Sequence, residues 1–122
     1  MRLNRRYLPS LGFIILLTTI ISTTIFINWI FSPFNYEKAM ILEQKAHRLT
    51  KDGKLKEASK YFLKSAKIKD DNISTSRRYR CVGSTTQNIE AKIKYFKLAL
   101  KYNPNNRSAK LNLNRYLKEK GK

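Results

Sequence analysis

Lys60-Tyr61-Phe62 … Ser65 … Asp70 … Asn72 returns further along as Lys94-Tyr95-Phe96 … Ala99 … Pro104 … Asn106, every member displaced by one constant interval, and Leu55 returns as Ile89 at the same interval. A period of about 34 residues has room for two helices and their turns. Such a hairpin cannot bury its apolar face alone and must stack on a neighbour. The spacing therefore predicts an all-α array of antiparallel helical hairpins. Arrays of this kind offer surfaces that hold peptides and proteins, which points toward binding and away from catalysis.

Working outward, Ala39, Leu42, Ala46 and Leu49 recur at three- and four-residue spacing and predict a helix from about Tyr36 to Lys51. Asp52-Gly53 supplies a turn, with Gly53 free to take a positive φ. The next helix is predicted from Lys54 to Lys69, burying Leu55, Ala58, Phe62, Ser65, Ala66 and Ile68. Asp70-Asp71-Asn72 breaks it and can cap its successor. Residues 73–86, ISTSRRYRCVGSTT, are the weak point, with poor helix formers and Gly83. Residues 88–102 return to a strong pattern, with Ile89, Ile93, Phe96, Ala99 and Leu100 inward. Asn103-Pro104-Asn105-Asn106 ends that helix and caps a last one, 107–120, with Ala109, Leu113, Tyr116 and Leu117 inward.

The other end of the chain is of a different kind. Residues 1–10 form a basic head with Arg2, Arg5 and Arg6, and residues 11–31 run LGFIILLTTIISTTIFINWIF without a charge. At about 1.5 Å per residue that run spans roughly 31 Å, the hydrocarbon thickness of a bilayer. Its Thr and Ser hydroxyls can bond back to carbonyls of the preceding turn. Trp29, Phe34 and Tyr36 at one end and Tyr7 at the other fit interfacial aromatic belts. The run exceeds the apolar core of a signal peptide and no Ala-x-Ala follows it, so it reads as a retained transmembrane anchor. Ser32-Pro33 is expected to end the anchor, because proline cannot continue the helical ladder. The expected organisation is head 1–10, anchor 11–31, linker 32–36 and helical domain 37–122, the last with units 39–72 and 73–106 and a capping helix 107–120. An anchor followed by about five short helices results.

The net charge is +18, and from Glu37 onward 23 Lys and Arg stand against 8 Asp and Glu. Such a domain attracts anionic partners: acidic proteins, anionic lipid or nucleic acid. One cysteine, Cys81, and one histidine, His47, allow neither a disulfide within the chain nor a thiolate or histidine metal cluster. Abundant Lys, Ile, Asn and Tyr fit an AT-rich genome such as a plastid's.

With Ala39 at position 1, the first unit resembles a tetratricopeptide repeat: Ala46, Gly53, Ala58 and Phe62 fall on its small, turn and aromatic positions, and Asp70 stands where proline is usual. In the second unit Phe96, Ala99 and Pro104 match, whereas Arg80 and Lys92 replace small residues. The whole chain resembles the photosystem I assembly family of tetratricopeptide proteins in plastids and cyanobacteria. Tyr7-Leu8-Pro9-Ser10-Leu11 and the closing run Leu98-Ala99-Leu100-Lys101-Tyr102-Asn103-Pro104-Asn105-Asn106-Arg107-Ser108-Ala109-Lys110 carry that resemblance. It implies a thylakoid-membrane protein with a stromal repeat domain that assists photosystem I accumulation, without enzymatic activity and without a cofactor. The positive-inside count alone, Arg2, Arg5 and Arg6 against Lys38 and Lys45, would export the domain instead.

In these repeats the first helix of each unit lines a concave groove. Here the groove positions are Met40, Glu43, His47, Thr50 and Lys51, then Ser74, Arg77, Cys81, Ser84 and Thr85, and in the cap Ser108, Leu111, Arg115, Lys118 and Glu119. Its basic members, His47, Lys51, Arg77, Arg115 and Lys118, are the candidate partner-binding residues for an acidic protein segment, such as a photosystem I subunit or assembly intermediate. Arg78 and Arg80 read as decoration of a solvated helix. Cys81 reads as a small packing residue, although its cationic neighbours could lower its pKa. A membrane-tethered RNA-binding protein and a small integral subunit of a larger complex are the alternative functions. Against nucleic acid, the tyrosines fall at packing positions and the chain carries an anchor.

Overall fold

The computed structural model describes residues 10–68 and 70–122, and these are helical throughout apart from short turns. The helices are α1 (Leu11–Lys51), α2 (Leu55–Ala66), α3 (Asn72–Thr85), α4 (Ile89–Tyr102) and α5 (Arg107–Lys120). The chain divides into two compact units, Met1–Pro33 and Phe34–Lys122. Arg2, Arg5, Arg6 and Tyr7 of the basic head, and the expected helix end at Lys69, lie outside the described residues.

The linker expected at 32–36 is not present. Helix α1 includes Pro33 in its interior, so the predicted anchor and the predicted first domain helix belong to one element. Proline removes one ladder bond and costs about 3 kcal/mol. Long helix-forming flanks on both sides outweigh that single loss. Five helices are consequently described in all, rather than an anchor and five more.

The apolar segment of α1 meets the length and hydropathy of a membrane span, and none of its most apolar window is covered by protein. Leu11, Ile20, Phe26 and Trp29 are all exposed. Thr18, Thr19, Thr23 and Thr24 donate their hydroxyls to carbonyls three or four residues back at 2.7–2.9 Å, so their polar groups are satisfied within the helix. One candidate membrane span therefore lies near the N-terminus.

In the second unit the cores follow the repeat period. Phe62 and Phe96 are each 1% exposed, and Ser65 and Ala99 are fully buried. Phe62 packs with Ala46, Ala58, Cys81 and Val82, which come from α1, α2 and α3. Phe96 packs with Ala66, Tyr79, Ala99 and Ala109, and stacks on Tyr116 of α5 at 5.8 Å. Each aromatic thus sits between the two helices of its own hairpin and the helix that follows. Buried serines tie helices across these joints: Ser65 donates to the Ala39 carbonyl at 2.7 Å, and Ser76 to the Ala99 carbonyl at 2.6 Å.

Turn chemistry sets the boundaries. Gly53 has φ 74°, the left-handed conformation that ends α1. Asp71, Asn88 and Asn106 cap α3, α4 and α5 by accepting from the amides of Ser74, Ala91 and Ala109 at 2.8–3.1 Å. The segment that reads as weakest becomes the most enclosed helix. Eight of the fourteen residues of α3 are buried, including Gly83. A Cβ at Gly83 would lie 3.0 Å from the Phe96 ring, so its glycine is what lets α4 approach.

Candidate functional site

Glu43, 7% exposed, gathers two guanidinium groups and an imidazole around its carboxylate. Arg77 on α3 grips it with a fork, Nε donating to Oε1 and Nη2 to Oε2, both at 3.1 Å. Arg78 Nε donates to the same Oε2 at 3.1 Å. His47, one turn along α1, brings Nε2 to 3.7 Å from Oε1 and lays its ring edge-on against Phe62 at 4.9 Å.

Arg78 extends the cluster inward. Its side chain is 0% exposed, and Nη1 donates to Asp70 Oδ2 in the turn before α3. Thr75 donates to the other oxygen of Asp70 at 3.0 Å. Arg78 Nη2 has no hydrogen-bond partner among the described residues. Two arginines and two carboxylates thus neutralise one another across α1, the α2–α3 turn and α3.

Burial acts to raise the pKa of Glu43, but hydrogen bonds and charge from Arg77, and then from Arg78, prevail and hold it below its ordinary value of 4.5. The bond to Glu43 in turn raises Arg77. Burial pushes the Cys81 thiol up, and the charge of Arg80 opposes this only in part. Cys81 therefore packs with Ala46, Ala58, Phe62 and Val82 and is not an activated thiol.

The period of the sequence explains the cluster. Glu43 and Arg77 are one repeat apart, so opposite charges occupy one position on successive first helices. Asp70, one repeat before Pro104, accepts from Arg78. In the second unit Pro104 is present, and the counterpart of Arg78 is the uncharged Asn112. The signal was legible as a matched pair of departures.

Of the five candidate binding residues, the structure brings His47 and Arg77 together around Glu43. Lys51 is exposed in the last turn of α1, and Arg115 and Lys118 are exposed on α5. The last two make no hydrogen bond or ion pair with the cluster among the described residues. Three readings are corrected. Arg77 is not an unengaged client anchor, because Glu43 already occupies its fork. Arg78 is not solvated decoration but the largest fully buried side chain. Glu43, Cys81 and Thr85 are buried rather than open to a groove. Arg77 remains half-exposed, its Nη1 without a hydrogen bond among the described residues.

Among the described residues no group of three or more His, Cys, Asp or Glu is placed to hold a metal ion. A cleft of about 430 Å³ lies beside the cluster, lined by Asp70, Thr75, Tyr79 and Tyr102 among others. Tyr79 is sandwiched there between the near-parallel rings of Tyr95 and Tyr102. No protein-family model, curated protein or solved structure matches the chain.

Proposed function

We propose that the chain is a membrane-anchored scaffold that binds an acidic segment of a client protein along the first-helix face of its helical domain. In this reading it assists the assembly or accumulation of photosystem I, as an integral thylakoid protein with the domain in the stroma. One observation carries the scaffold reading: Phe62 and Phe96, one repeat apart and equally buried, each close a hairpin onto the next helix. Repeated closure of this kind is how stacked hairpins make an extended recognition surface. The excess of exposed cations supports an acidic client, and the apolar part of α1 supports a tether that raises effective concentration at the membrane. The choice of client and compartment rests on the residues that resemble the photosystem I assembly family.

The test reverses Arg115 and Lys118 to Glu. Both are exposed and outside the Glu43 cluster, so the fold should persist. Client co-purification from membranes solubilised in neutral detergent should fall at least tenfold, because like charges juxtaposed at an interface cost several kcal/mol. Photosystem I accumulation should fall with it in a plastid host. Reversal of Arg107 and Lys110, exposed on α5 but off the groove positions, is the control. Equal loss in both variants would mean that net charge, rather than this face, holds the client.

A further inference from the structure

We propose that the outer faces of α2 and α4 together form a docking surface for an anionic lipid bilayer. On α2 the exposed residues Lys56, Lys60 and Lys64 follow at four-residue spacing, and Lys67, just past its end, completes the row. On α4 Lys94, Lys97 and Lys101 follow at three and four. These are helical spacings, so each set is one stripe, on the side away from the buried Phe62 and Phe96. Lys60 and Lys94 are one repeat apart, and likewise Lys67 and Lys101, so the stripes hold equivalent places on their helices. Leu63 of α2 and Tyr95 of α4 pack against both apolar clusters, so the inner sides of the two helices share one core.

None of these seven lysines makes an ion pair among the described residues; the ion pairs found there lie around Glu43 and Asp70, and between Lys120 and Glu90. Like charges three or four residues apart repel on a helix, and a solvated face ordinarily relieves this with acids at the same spacing. Here Glu57 and Glu90 are the only acids on α2 and α4, and Lys120 holds Glu90 at 3.3 Å. A negative surface supplies the missing relief.

The residue type narrows the partner. Arginine's planar fork suits carboxylates fixed on a folded protein, whereas lysine is a mobile point charge that needs no set geometry. The stripes are all lysine, and none of the arginines lies on α2 or α4. Fluid headgroups match that chemistry. Tyr61, beside Lys60, carries the ammonium groups of Lys45 and Lys64 over its ring at 4.4 and 5.3 Å, an amphipathic ring of the sort found at headgroup level. The apolar span of α1 favours lipid over a soluble polyanion, because it keeps the domain at a bilayer. Each lysine near an anionic surface strengthens attachment by a factor of about five.

The full chain, reconstituted in vesicles of phosphatidylcholine alone or with added phosphatidylglycerol, tests this by amine-labelling rates read lysine by lysine with mass spectrometry. Lys60, Lys64, Lys94 and Lys97 should label severalfold more slowly on the anionic vesicles, Lys51 and Lys118 should not change, and high salt should abolish the difference. In K60E/K94E the protection of Lys64 and Lys97 should disappear. Unchanged labelling, equal slowing of every lysine, or protection that survives the double reversal would each overturn the proposal. So would equal protection by single-stranded RNA on neutral vesicles, which would assign the stripes to nucleic acid.

Discussion

Arg78 is the largest fully buried side chain among the described residues, and it carries a guanidinium. Removing a guanidinium from water costs several kcal/mol, and only good geometry with opposite charge repays it. Glu43 and Asp70 supply that geometry. Asp70→Asn keeps the bond from Thr75 but removes the charge facing Arg78, and should destabilise the domain by about 3 kcal/mol. Arg78→Met alone should destabilise by a similar amount, because Asp70 is then left buried without its cation. The two changes together should lose no more than about 1 kcal/mol, since a buried ion pair replaced as a unit is often close to neutral. Urea unfolding of the four proteins, followed by circular dichroism, measures the cycle. Additive losses would show that the two side chains act separately.

At the scale of the element, α3 separates what local chemistry decides from what packing decides. Residues 73–86 are poor helix formers, yet burial of most of α3 overrides propensity. Gly83 looks like a helix breaker and serves instead as clearance for Phe96. Gly83→Ala should therefore fail to stabilise the helix. It gains about 1 kcal/mol of propensity and loses about 1–3 kcal/mol to overpacking, because Phe96 is fixed against Tyr116. A lowered melting temperature is expected, restored in part by Phe96→Leu; a raised one would mean the ring yields freely. The bounds of α4 and α5 were legible because Asn88 and Asn106 mark them and their apolar spacing is regular. Pro33 misled because a proline rule is local and the flanking helix is long. The cluster around Glu43 went unread because Glu43 lies 34 and 35 residues before the two arginines it meets, and only the repeat period relates it to Arg77.

For the whole molecule, the cluster links charge state to folding. The pKa of Glu43 in the native domain lies below its ordinary 4.5. A depressed carboxyl stabilises the fold fully above the unfolded value, and that contribution drains away as pH falls through the native one. Helix content should hold from neutral pH down to about 4.5 and decline below it. Glu43→Gln should weaken the domain at pH 7 and flatten the acid limb, as circular dichroism over a pH series would record. An acid limb of unchanged steepness in that variant would place the sensitivity elsewhere. Protonation of the other carboxylates adds repulsion to a chain that already carries +18, so salt should soften the whole decline.

The order of the residues that hold Arg78 has a bearing on biosynthesis. Glu43 and Asp70 both precede it in the chain, so each acid has left the ribosome before the guanidinium appears. Chains fold as they emerge, N-terminal parts first. When Arg78 arrives, α1 and the turn before α3 can already be in place to receive it, and no buried cation has to wait for a partner still to be made.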